Sequence, residues 1–150
     1  MKQSEKALFA ACGGYCGGCP DYLAYINNDE KLKKKLAKDF SKDFNLDLKP
    51  EDIACLGCHG SIRKPWSASC PVQRCTEEKG ILTCAFCHEF PCEKVGRLYE
   101  KNKEGEFLKN NILRQKEIGL EEWLAEMKEK GKILHKAYRE YTAKYMNEDD

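Results

Sequence analysis

The sequence predicts a small, mostly α-helical fold held together by more than its apolar core, and three observations predict it. Val occurs only twice in 150 residues and Ile seven times, so residues suited to a pleated sheet are scarce. Apolar residues recur at helical spacing on both sides of the chain's middle. Leu, Ile, Val and Phe together number 29, about 19% of the chain, at the edge of the range where a self-sufficient core can be buried. Ten cysteines offer two ways to supply the missing stabilisation, disulfides or metal.

The length fits one domain over 1–150, divided into a cysteine-rich region at 12–92 and a helical region at 93–146. The start, MKQSEKALFAAC, carries an apolar stretch from Ala7 to Ala11. That is shorter than the roughly 7–15 residues of an export signal and far short of a membrane span. The expectation is therefore a cytoplasmic protein without a membrane segment, whose thiols stay reduced. In that setting cysteines more often bind metal or do chemistry than staple the chain.

Each helix has local signals. Pro20 after Cys19 suits a first helical position with Cys19 as N-cap, for a helix through Ile26. Asn27, Asn28 and Asp29 supply a break and a new cap. An amphipathic helix at about 29–45 follows, with Leu32, Leu36, Phe40 and Phe44 on one stripe and the intervening lysines on its wet face. SCPVQRCTEEKG has Pro71 early and Gly80 late, the punctuation of a short helix, and another starts near Pro91 and runs to about Asn102.

The C-terminal third reads as long helix. EFLKNNILRQKEIG ends at Gly119, and Leu120, Trp123, Leu124, Met127, Leu134, Tyr138, Tyr141 and Tyr145 continue an apolar stripe that Gly131 can kink or split. Such an aromatic stripe is a core face or a docking face for a protein partner.

The middle differs in texture. Between Pro50 and Cys92 lie seven of the ten cysteines but only nine Leu, Ile, Val, Phe or Trp, without helical or strand period. A stretch this poor in apolar area does not order itself, whereas a polydentate metal site makes binding energy into folding energy.

Three C-x2-C units occur, Cys16 to Cys19, Cys55 to Cys58 and Cys84 to Cys87, and two intervening residues let both sulfurs of a unit reach one ion. With Cys12, Cys70, Cys75 and Cys92 they form the candidate ligand set. Ten thiols fill two tetrahedral sites with two left over; His59 and His88, each directly after a C-x2-C unit, would bring the donors to twelve and the sites to three. Two ions are expected. One site joins the opening loop to Cys55 and Cys58, and the other takes Cys84, Cys87 and Cys92 with Cys70 or Cys75. Adjacent residues rarely face one ion, so each histidine reads more readily as an outer partner than as a ligand, and His135 as neither.

Cys19, Cys70 and Cys92 all sit beside prolines at predicted helix starts, where the helix dipole favours thiolate. Zinc is the first choice of metal, with an iron–sulfur cluster as the alternative and disulfide or dithiol redox chemistry behind both. The opening C-x3-C-x2-C also matches radical S-adenosylmethionine enzymes, but the chain lacks the strands and length of their barrel.

The formal charge of +1 falls by about four when eight thiolates bind two divalent ions, to about −3, which argues against a nucleic-acid partner. No P-loop or dinucleotide glycine motif is present, and the balance leans away from an enzyme.

The stretches CGGYCGGCPDYLAY, KPEDIACLGC, CPVQRCTEEKGILTCAFCHEFPCEKV and KEIGLEEWLAEMKEK resemble the bacterial and archaeal DUF3795 family, over about 12–130. The resemblance implies that the ten cysteines act together, and it supplies no activity. Some relatives continue the Glu-Glu-Trp-Leu helix into a further C-P-x-C-G knuckle, whereas GKILHKAYREYTAKYM here has no cysteine. The expected function is a cytosolic cysteine-rich metal-binding protein whose structural zinc sites support a binding or adaptor role; the alternative is an iron–sulfur electron-transfer or redox protein.

Overall fold

The computed structural model describes residues 1–63 and 70–130. Among these the chain is mostly helical and contains no strand, only an isolated antiparallel bridge between Phe9 and Tyr15. The helices are α1 (Gln3–Lys6), α2 (Pro20–Ile26), α3 (Glu30–Phe44), α4 (Pro71–Lys79), α5 (Glu93–Lys101) and α6 (Gly105–Ile118). A further helix, α7, covers 120–130 of the described residues. The part of the aromatic stripe beyond it, Leu134, Tyr138, Tyr141 and Tyr145, lies outside the described residues, as do Gly131 and His135.

Local signals account for the helix ends. Pro20 and Pro71 occupy first-turn positions of α2 and α4, with Cys19 and Cys70 as N-caps. Cys92 caps α5, which begins two residues after Pro91. The Asp29 side chain accepts from the Leu32 N–H at 3.1 Å and starts α3. At the other end of α3, Asn45 closes the helix in the left-handed conformation. The short helix α1 carries no apolar periodicity and was not expected.

Three apolar clusters organise these elements. The first packs Ala24 of α2, Leu32, Leu36 and Ala37 of α3, and Ile53, with Phe40 and Leu48 beside them. The expected stripe of α3 thus buries its first part and runs out at Phe44, which is exposed. The second joins Ala11, Val72, Cys84, Val95 and Ile112, and Cys12, Cys58, Cys70 and Cys92 pack onto it. The third sets Phe9 against Trp123, Leu124 and Met127 of α7, with the Phe9 and Trp123 ring centroids 5.4 Å apart. Complete burial of Phe9 contributes roughly 1.5–3 kcal/mol relative to exposure.

The apolar stretch Ala7 to Ala11 therefore runs through the interior, feeding Phe9 to the third cluster and Ala11 to the second. The segment 50–92 is less barren than its composition suggests. Ile53, Val72, Thr76 and Thr83 are buried, and Thr83 donates its hydroxyl to Gln115 Oε1 of α6 at 2.8 Å. No helix among the described residues is long and apolar enough to cross a membrane.

Candidate metal centre

Two of the three C-x2-C units adopt the same backbone form. Cys16–Gly18 and Cys84–Phe86 are 3-10 turns, and in each the N–H of the second cysteine donates to the carbonyl of the first at 3.1 Å, Cys19 to Cys16 and Cys87 to Cys84. The second cysteines match in conformation as well, Cys19 at φ −79 and ψ 127, Cys87 at φ −87 and ψ 124. In the third unit the Gly57 N–H donates to Cys55 Sγ at 3.4 Å. Backbone N–H groups aimed at sulfur favour its anionic form.

The structure draws the first two C-x2-C units of the chain together. Cys58, Cys19 and Cys55 lie near enough to Cys16 to disfavour its ionisation, and the Cys58 N–H donates to the Cys16 sulfur. Burial is the main force raising the Cys16 thiol, and mutual repulsion adds to it. Burial likewise pushes Cys58 up to about 12, although the Ala11 N–H, 3.5 Å from its sulfur, pulls the other way. Asp21, buried behind this set, accepts a hydrogen bond from the Cys19 thiol.

A second set of four thiols walls a cavity of about 10 Å³, room for about one water. Cys75 comes from α4, Cys84 and Cys87 from the last C-x2-C unit, and Cys92 from the cap of α5. Lys79 and Lys94, and the uncharged side chains of Val72, Thr76, Ile81 and Val95, line the rest of it. Lys79 Nζ lies 3.2 Å from Cys87 Sγ and 2.9 Å from Glu89 Oε2. Burial raises the Cys87 thiol, but the Lys79 ammonium and the Glu89 N–H outweigh it and leave the group below its ordinary value. Cys84, deeper in, is pushed up to about 12 by burial and then by neighbouring thiols.

Cys12 and Cys70 belong to neither set; both pack on the second apolar cluster and both neighbour Cys58. His59 Nε2 is 2.6 Å from the Leu82 carbonyl. A carbonyl only accepts, so Nε2 carries the proton and the contact ties the Cys58 loop to the Cys84 knuckle. His88 is exposed.

No disulfide links the ten cysteines, all of which are among the described residues. Nor, among the described residues, do three Cys, His, Asp or Glu side chains already converge on one ion position. The donor chemistry nonetheless suits a thiophilic cation. Cys16, Cys58 and Cys84 are raised by burial first and by neighbouring thiols second, and a divalent ion supplies the positive charge that lets such thiols ionise together. A change of χ1 rotamer re-aims a thiol without moving the backbone.

Several residues that shape these sets were not singled out by the sequence. Lys79, Lys94 and Asp21 carry no local signal in the sequence of a place beside the thiols. Tyr99 donates its hydroxyl to the Cys12 carbonyl at 2.8 Å, and Asn111 donates to the Gly13 carbonyl at 2.9 Å. Both looked like helix residues without a partner in the cysteine region, since 87 and 98 positions separate the pairs.

A family model described as protein of unknown function (DUF3795) matches residues 8–97. That span contains all ten cysteines and stops short of the KEIGLEEWLAEMKEK stretch. No curated protein and no solved structure matches the chain.

Proposed function

The chain belongs to the DUF3795 family, and from that premise we propose that it is a metal-binding protein in which two thiolate-held ions, zinc by preference, order the cysteine-rich region. The observation that carries this reading is the cavity walled by Cys75, Cys84, Cys87 and Cys92, thiols from three separate elements around room for one small body. Cys16, Cys19, Cys55 and Cys58 supply the second position. Eight thiolates make about two tetrahedral sites, the number and softness that zinc takes when it is structural.

A site filled by four protein ligands has no open position for water or substrate, so the reading is of a non-catalytic binding or adaptor module. The thiols require a reducing compartment such as the cytosol. Lys79 offsets part of the negative charge that four thiolates bring to the cavity, while Asp21 orients Cys19 in the other set.

The test is metal analysis of protein purified without oxygen. About two zinc ions per colourless chain is the expected result. Fewer than about one ion of any metal per chain overturns the reading, and brown protein with thiolate-to-iron absorption replaces zinc with an iron–sulfur cluster.

A further inference from the structure

We propose that Cys12 is a ligand shared by the two ions, which makes the two thiol sets a single two-ion centre. The inference rests on the metal-binding reading above and adds a coupling that the two sets alone do not have.

The segment 11–13 is spliced to both sets at once. The Ala11 N–H donates to Cys58 Sγ at 3.5 Å, and the Ala11 carbonyl accepts from the Cys84 N–H at 3.0 Å. One residue thus contacts a sulfur of the first set and the knuckle backbone of the second. Cys12 follows directly. It packs on the apolar cluster that contains Cys84 and that Cys58 and Cys92 also touch, and its thiol neighbours both Cys58 and Cys84.

The loop is also held in place from behind. Tyr99 of α5 bonds the Cys12 carbonyl, and Asn111 of α6 bonds the Gly13 carbonyl. Gly13 has φ +111, and a Cβ there would stand 2.2 Å from the Leu108 carbonyl oxygen, so α6 and the loop meet backbone to backbone. A thiol on such a clamp keeps its position between the two sets instead of swinging towards solvent.

A thiolate sulfur has lone pairs enough to bind two soft cations together. Two tetrahedral ions that share one thiolate need about seven cysteines and not eight. Cys12 then takes one position at each ion, and three thiols of each set fill the rest. The first ion to bind holds the Cys12 side chain in place within reach of the other set and so improves the site of the second. Loading becomes cooperative through a shared atom, with no change in the fold.

The experiment is anaerobic titration of the reduced full-length chain with zinc, read by native mass spectrometry. Wild type is expected to pass from no ions to two, the second binding at least ~5-fold more tightly than the first. Cys12→Ser is expected to lose that preference and accumulate the one-ion species at half loading, whereas Cys70→Ser, which removes a thiol belonging to neither set, keeps the paired loading. Stepwise loading of wild type, or Cys12→Ser loading as wild type does, overturns the proposal. Should Cys12→Ser not fold, cadmium NMR of the loaded wild type decides: scalar coupling between two cadmium nuclei supports a shared sulfur, and its absence rejects it. Wild type that takes up no metal at all would instead sink the metal-binding reading itself.

Discussion

The hydroxyl of Tyr99 donates to the carbonyl oxygen of Cys12 across 2.8 Å and fastens α5 to the opening loop. Burial and then the nearby thiols Cys12, Cys84 and Cys92 raise the phenol well above its ordinary value, so it stays protonated and remains a donor across the physiological range. Tyr99→Phe keeps the ring against Phe90, 6.4 Å between centroids, and removes only the donor. The expected cost is about 1–2 kcal/mol, because the Cys12 carbonyl loses its partner. At ~2–4 °C per kcal/mol for a chain of this size, thermal unfolding of the variant should begin measurably earlier. An unchanged melting temperature would show that water replaces the phenol at no cost.

Two glycines with positive φ give a graded comparison. Gly80 caps α4 at φ +67 with nothing within 4 Å of an added Cβ, so Gly80→Ala carries only the left-handed penalty of about 1–2 kcal/mol. Gly13→Ala at φ +111 adds a clash with the Leu108 carbonyl, which belongs to the backbone of α6 and does not rotate away. Denaturant unfolding should therefore rank Gly13→Ala well below Gly80→Ala in stability. Equal losses would mean that α6 and the loop separate easily.

That contrast also marks how far the sequence could be read. Cys19 with Pro20, Cys70 with Pro71, Asp29, and Gly80 announced helix ends because capping and fixed φ are properties of a residue and its immediate neighbours. The turns of the C-x2-C units were equally local. Gly13 gave no such notice, since its need for a missing side chain arises from Leu108, 95 positions away. Phe9 against Trp123, Asn111 on the Gly13 carbonyl and Lys79 on Cys87 are of the same kind. A lysine on a short polar helix looks solvated until α4 is packed beside the Cys84–Cys87 turn.

The join between the last two described helices has an electrostatic component. Arg114 of α6 contacts Glu126 of α7 through two nitrogens, at 2.7 and 3.4 Å, and reaches Glu117 at 3.2 Å. The Arg114 hydrogen bonds hold the Glu126 carboxyl below its ordinary value. A depressed carboxylate contributes stability above the ordinary carboxylate range and loses it as pH falls through that range. Glu126→Gln should remove this part of the acid sensitivity and lower the neutral-pH melting temperature less than Tyr99→Phe does, because the pair is solvated and screened. Scans of melting temperature against pH for wild type and variant check it; parallel curves would assign the acid response elsewhere.

Removing metal should act unevenly along the chain, because the three apolar clusters differ in their dependence on thiols. The cluster of Ala24, Leu32, Leu36, Ala37 and Ile53 contains no cysteine, and neither does that of Phe9, Trp123, Leu124 and Met127. The middle cluster contains Cys84 and has Cys12, Cys58, Cys70 and Cys92 packed on it. Stripping the ions under reducing conditions leaves those sulfurs protonated and repacked, with α4 anchored chiefly by Val72 and α5 by Val95, Leu98 and Tyr99. Hydrogen exchange of the chelated, reduced chain should therefore speed up over 70–101 while amides of α3 keep most of their protection. Uniform loss of protection would mean that the metal holds the whole chain as one cooperative unit. Unchanged protection over 70–101 would mean that the apolar contacts there suffice, and that the thiols are not structural.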